Sequence, residues 1–191
     1  MNTRINRAVF NRFPGLRTTR LFLREVRDSD ASDLFQIRSS SDAMRYMDSK
    51  MHSSLAESEQ MLQSMKAMFY ERKGINWIIN DQLGNQVLGY CGYWKLDETN
   101  CRAEIGYALK PTFWGQGFME EALRACIGFA FKQLQLHSLE ANVNPANKKS
   151  IRLLKKLDFQ KEAYFRENYF FNGQFLDSEI YALLETDWEG K

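Results

Sequence analysis

Cysteine, histidine and proline are scarce in this chain, with three, two and three residues among 191. Cys91, Cys101 and Cys126 are widely spaced and form no Cys-x-x-Cys, which argues against a disulfide framework and predicts reduced thiols in a cytoplasmic protein. His52 and His137 have no partner at metal-ligand spacing, so no metal is expected. The chain lacks an apolar run of the ~20 residues a membrane helix needs, and no secretory apolar stretch follows Met1; no membrane partner is expected. A surplus of one charge sign is lacking too: 26 Lys and Arg face 24 Asp and Glu, a formal net charge of +2. That balance makes no whole-molecule case for nucleic-acid binding.

What is present is apolar and aromatic. Hydrophobic residues make up 44% of the chain and aromatics 14%, enough for one domain with a substantial core. Arg4, Arg7, Arg12 and Arg17 crowd the start. A transit peptide would be Arg-rich in this way, but Arg20 and Arg24 already lie in a strand-like run and serine is scarce. The expectation is a short basic tail over residues 1–18 and a single domain over 19–188, without repeats or linkers.

Periodicity orders the elements. Leu21 to Val26 alternates as a strand, and Asp28 or Asp30 can cap the helix that follows. Leu55 to Phe69 is amphipathic, with Leu55, Leu62, Met65 and Phe69 near one helical face. Strands are predicted at Asn76–Asn80, Gln86–Trp94 and Cys101–Leu109, then a helix from Phe118 to Leu134. Ser138–Val143 is a short strand and Lys148–Leu157 a helix. Two last strands, Phe159–Tyr169 and Gln174–Leu184, flank an Asn172-Gly173 turn. The fold class is α/β: a mixed sheet with helices on both faces covers this many apolar elements.

The segment Glu104–Ala122, EIGYALKPTFWGQGFMEEA, carries the most information. A strand stops at Pro111, Gly115 and Gly117 follow, and a helix begins at once. Glycines let a backbone approach a ligand closely, and the first N–H groups of a helix have no intrahelical acceptor. Together they suit an anion such as a pyrophosphate. A Walker loop is excluded because Phe118 and Met119 follow Gly117, and a Rossmann fingerprint because Glu120 replaces its third small residue. Taken alone, the glycine pair also reads as an ordinary tight turn.

Further along, Leu139–Phe159, LEANVNPANKKSIRLLKKLDF, resembles the second signature of GNAT N-acetyltransferases, and specifically the RimJ/RimL branch. With PTFWGQGFMEEA before it and NGQFLDSEIYALLETDW after it, the likeness runs from about Leu21 to Trp188. The resemblance implies the acyl-CoA N-acyltransferase fold, a mixed and mostly antiparallel sheet that opens into a V between Cys101–Leu109 and Ser138–Val143. It implies acetyl-CoA as co-substrate, with backbone groups of Tyr107, Ala108 and Leu109 on the pantetheine amides. Gly115, Gln116, Gly117, Phe118 and Met119 would hold the pyrophosphate, and Asn147 would touch the cofactor while capping the next helix. Two positions depart from the family pattern: Thr112 replaces a long polar side chain, and Asp158 stands where glycine usually ends the helix.

Acetyl transfer requires a neutral amine, a polarised carbonyl and a stabilised leaving thiolate. Glu104 is the candidate base, on the strand face shared with Gly106 and Ala108; the alternative is a structural ion pair or a solvated carboxylate. The family's usual tyrosine acid is Leu154 here, and the RimL-like resemblance points to Ser150, as an acid or only a hydrogen-bond donor. Glu167 and Tyr169 are further candidates for the acceptor side. Met61, Met65 and Met68 read as helix core before they read as an acceptor wall. The expected acceptor is an amine, a protein N-terminus or alternatively a small molecule; a non-catalytic coenzyme A-binding module is the third reading. Monomer and homodimer remain open.

Overall fold

The computed structural model describes residues 5–188. Eight strands form one sheet in the order β1-β2-β3-β4-β5-β6-β8-β7. They are β1 (Leu16–Arg17), β2 (Leu21–Arg24), β3 (Ile75–Asp81), β4 (Val87–Asp97), β5 (Arg102–Leu109), β6 (Ser138–Val143), β7 (Gln160–Phe171) and β8 (Gln174–Leu184). Every neighbouring pair is antiparallel except β5 and β6. Five helices cover the sheet: α1 (Ala31–Arg38), α2 (Ser41–Met44), α3 (Leu55–Tyr70), α4 (Phe118–Phe129) and α5 (Lys148–Lys156).

Strand alternation divides the core. On one face Trp77, Cys91, Tyr93, Ala103 and Ile105 pack beneath Leu123, Cys126 and Ile127 of α4 and Ile151 and Leu154 of α5. On the other, Ile78, Tyr90 and Ala108 meet Leu34 and Ile37 of α1 and Leu62 and Met65 of α3. Met65 is thus core, while Met61 is only packed against its edge. Local chemistry starts the helices where expected. Ser54 and Glu57 form a capping box for α3, and the Asn147 side chain accepts from Ser150 N at 3.1 Å to cap α5.

One expectation needs correction. Residues 5–18 are no tail but part of the body. Ile5 and Phe10 are buried, Trp77 Nε1 donates to Pro14 O at 2.6 Å, and the Phe13 ring lies 4.9 Å from that of Phe69. The arginines of this segment stay outside while the apolar residues between them complete the core; residues 1–4 lie outside the described residues. The helical run expected from Phe118 to Leu134 is present, α-helical to Phe129 and then widened into one π turn, Ala130–Leu134. The four-residue α2 had no periodic signal; Ser40 Oγ caps it by accepting from Ala43 N at 3.3 Å.

Candidate active site

The site begins where the parallel pair fails. β5 and β6 align only at Arg102↔Ser138, Ala103↔Leu139 and Glu104↔Glu140, so from Ile105 onward the β5 edge is released from β6. Beyond that edge, Pro111–Phe113 makes a short turn, Trp114 Nε1 donates to Leu109 O at 3.0 Å and Gln116 Nε2 to Thr112 O at 2.9 Å. Gly115 and Gly117 have φ of +75° and +78°, the left-handed region that glycine reaches without strain. A Cβ on Gly115 would meet no protein atom within 4 Å; the space before it is open. Glu121 N bonds to Gly117 O at 3.1 Å, so the N–H groups of Phe118, Met119 and Glu120 precede the first intrahelical bond of α4.

These elements line a cavity of about 1050 Å³. Tyr107, Ala108, Leu109, Gly115, Gly117, Phe118, Met119, Asn147 and Ser150 all border it; Gln116 does not, its side chain being turned back onto Thr112. Ala43, Tyr46 and Met47 close one side, and Lys148, Lys149, Arg152 and Lys156 of α5 give the rim positive charge. A glycine-lined helix start facing four basic side chains fits a long polyanionic ligand.

Inside the cavity, Tyr107 OH and Ser150 Oγ are 2.8 Å apart. Burial pushes the Tyr107 phenol up to about 12, although the Ser150 hydrogen bond works the other way. The Tyr107 phenol is therefore protonated throughout the neutral range, and either hydroxyl can donate to the other. From the sequence, only the Tyr107 backbone is expected at the donor. Its side chain was legible from alternation, because Tyr107 shares with Ala103, Ile105 and Leu109 the face that α4 and α5 cover.

Glu104 is not brought to this place. Its carboxylate pairs with Lys95 Nζ at 2.5 Å, with its side chain only 16% exposed. It lines a separate hollow of about 510 Å³ with Lys95, Asp97, Arg102 and Glu140. On the same face the Trp94 indole covers Gly106, where any Cβ would overlap the ring. The residue expected as base, Glu104, therefore lies outside the large cavity, with its carboxylate in an ion pair. Glu167 also serves structure: it sits at φ +51° in a bulge of β7 and donates its N–H to Asp177 Oδ1 at 2.8 Å. Tyr169 instead donates to the Asp48 carboxylate, which also accepts from Asn144 Nδ2 at 3.3 Å. Burial, with Asp48 beside it, pushes the Tyr169 phenol well up. This junction ties the loop between α2 and α3 to β6 and β7.

Among the described residues no group of three or more His, Cys, Asp or Glu is placed to hold a metal ion, and no helix is long and apolar enough to cross a membrane. The family description "Acetyltransferase (GNAT) domain" matches residues 20–160. The uncharacterized N-acetyltransferase YoaA of Bacillus subtilis (strain 168) is 34% identical over 173 residues, covering 91% of this chain and 98% of YoaA. Solved structures of the same fold include RimL, a ribosomal L7/L12 alpha-N-protein acetyltransferase in complex with coenzyme A. Its TM-score is 0.82 at 22% identity, over 90% of this chain and 98% of that one. A spermidine N-acetyltransferase from Vibrio cholerae, in complex with CoA and spermine, has a TM-score of 0.78 at 20% identity, over 89% and 98%. The chain belongs to the GNAT family and is an acetyl-CoA-dependent N-acetyltransferase.

Proposed function

We propose that the acceptor is the α-amine of a protein N-terminus, acetylated by direct attack on the thioester of acetyl-CoA. The observation that carries this reading is the shortage of a free base in the cavity. Its carboxylates, among the described residues, are Asp42 and Glu120. Asp42 is paired with Arg45 at 2.9 Å, and Glu120 with Lys156 at 2.6 Å and Arg124 at 3.2 Å. Lys156, then Arg124, hold the Glu120 carboxyl below its ordinary range. An acceptor that loses its proton readily suits such a site. An α-amine titrates at about 7.7–8.0 and a lysine amine at about 10.4, a difference of roughly 3.5 kcal/mol in the cost of the neutral form. By their names, the two solved relatives act on a protein N-terminus and on a polyamine, so the fold is common to both acceptor classes and basicity makes the choice.

Each residue then has a role. The released β5 edge, Tyr107 to Leu109, pairs with the amides of the donor's arm as an added strand would. Gly115, Gly117, Phe118 and Met119 present backbone donors to its diphosphate. Asn147 orders the first turn of α5, which places Ser150. As the C–N bond forms and the C–S bond breaks, Ser150 donates a hydrogen bond to the departing sulfur and Tyr107 donates to Ser150. Full proton transfer from a phenol at about 12 to a thiolate whose acid titrates near 8.5 would be uphill by roughly 5 kcal/mol. The pair therefore stabilises the thiolate as donors, and the proton released by the amine neutralises it.

The test is thiol release from acetyl-CoA at pH 7 with three acceptors: a peptide with a free α-amine and no lysine, the N-acetylated peptide with one lysine, and spermidine. The expected result is preference for the first by tenfold or more in kcat/KM, about 1.4 kcal/mol. Turnover confined to spermidine or to the lysine side chain would refute the proposal.

A further inference from the structure

Residues 112–118, TFWGQGF, contain no lysine or arginine, yet a guanidinium grips this loop from behind. Arg20, in the turn between β1 and β2, donates from Nη1 to Gln116 O at 3.0 Å. Its Nε donates to Glu121 Oε2 at 2.6 Å and its backbone N to Glu121 Oε1 at 2.8 Å. Thr18 Oγ1 adds a third donor to that carboxylate at 2.6 Å. The guanidinium carbon lies 4.4 Å from the centroid of the Phe118 ring, and a Cβ on Gly117 would sit 3.4 Å from Nη2. One side chain thus touches the carbonyl before Gly117, the ring after it and an acid in the first turn of α4.

Two physical consequences follow. A peptide unit is planar and trans, so its C=O and N–H point in opposite directions. Tying the Gln116 carbonyl to Arg20 outside the cleft turns the Gly117 N–H away from Arg20, towards the cavity that Gly117 lines. Meanwhile Glu121 places a negative charge one turn into a helix whose start would receive an anion. Burial raises its carboxyl, but hydrogen bonds from Thr18 and Arg20 outweigh this and hold it below the ordinary range. Arg20 faces that charge directly. Arg20 does not itself border the cavity.

We infer that Arg20 is a positioning residue of the donor-binding loop: it aims the Gly117 N–H and offsets the Glu121 charge, so affinity for the diphosphate part of the donor depends on it. The inference rests on the reading that this loop holds the diphosphate. A residue 96 positions from Gln116 in sequence thereby joins the β1–β2 hairpin to donor binding.

The test compares two donors on the full chain. Acetyl-CoA carries the diphosphate; acetyl-pantetheine carries the same thioester without it. In Arg20→Met, an apolar stem still covers Phe118 while the donors are lost. Calorimetry with CoA should show Kd raised about tenfold or more, the effect of losing a charge-assisted hydrogen bond near an anion. The kcat/KM for acetyl-pantetheine with the α-amine peptide should change by less than about twofold. A merely structural role would weaken both donors by the same factor, and that result, or an unchanged Kd for CoA, overturns the inference. Should Arg20→Met not fold, Arg20→Lys answers the same question: it keeps the charge but not the forked donors, and the same split between donors is expected. A wild-type chain that binds no CoA would instead overturn the donor-loop reading, and the inference with it.

Discussion

Gly115 and Gly84 offer a matched pair of perturbations. Both have positive φ, +75° and +77°, and in both a Cβ would meet no protein atom within 4 Å. Alanine therefore meets the same difficulty at each: the left-handed backbone costs roughly 1–2 kcal/mol and no steric clash adds to it. For a domain of this size that is a fall in Tm of about 2–8 °C. The two sites differ in one respect, because Gly115 lines the cavity and Gly84 lies in the turn between β3 and β4. Gly115→Ala and Gly84→Ala should lose similar stability in thermal unfolding of the free protein. Only Gly115→Ala should weaken CoA in calorimetry, because its methyl occupies space that the ligand approaches; a loss of about 1–3 kcal/mol, about 5- to 150-fold in Kd, is expected from displaced backbone hydrogen bonds to an anion. Equal CoA affinity in the two variants would refute the assignment of this loop as the anion cradle, whatever their Tm.

Three further outcomes are expected. Tyr107→Phe should lower kcat about tenfold or more with little change in the Kd of CoA, since the lost donor acts when charge develops on sulfur; because burial holds the wild-type phenol at about 12, the pH–rate profile should show no Tyr107 limb below about pH 10. Burial, then the Arg38 charge, lower the His52 pKa against the weaker pull of Glu57. The unfolded chain thus binds a proton near pH 6.5 that the native chain resists, and stability is lost as pH falls below about 6.5; the urea midpoint should drop from pH 7.5 to 5.5, and by less in His52→Gln. Asp158 ends α5 at φ +66°, so Asp158→Gly should raise stability by about 1 kcal/mol; a lower Tm would contradict this account of the helix end.

Much was readable along the chain because it depends on neighbours in sequence. Residue alternation placed Tyr107 and Ala108 on opposite faces of β5, helical spacing outlined α3, α4 and α5, and the turn residues Asn172 and Gly173 adopt φ of +49° and +79°. The glycine loop was legible because a strand, two glycines and a helix start are consecutive. By contrast, the place of residues 5–18 was not legible: their arginines are conspicuous in composition, whereas the burial of Ile5 and Phe10 depends on residues far away in sequence.

The chemistry divides in the same way. Local order determined the helix start at Gly117, the cap at Asn147 and the alternation that aims each strand side chain. Tertiary structure decided which of those side chains meet. Lys95 pairs with Glu104 outside the large cavity, Ser150 comes to Tyr107 across 43 positions, and Arg20 reaches Gln116 across 96. Backbone conformation responds to the residues beside it; a hydrogen bond between side chains on separate elements exists only once the sheet and its covering helices have packed.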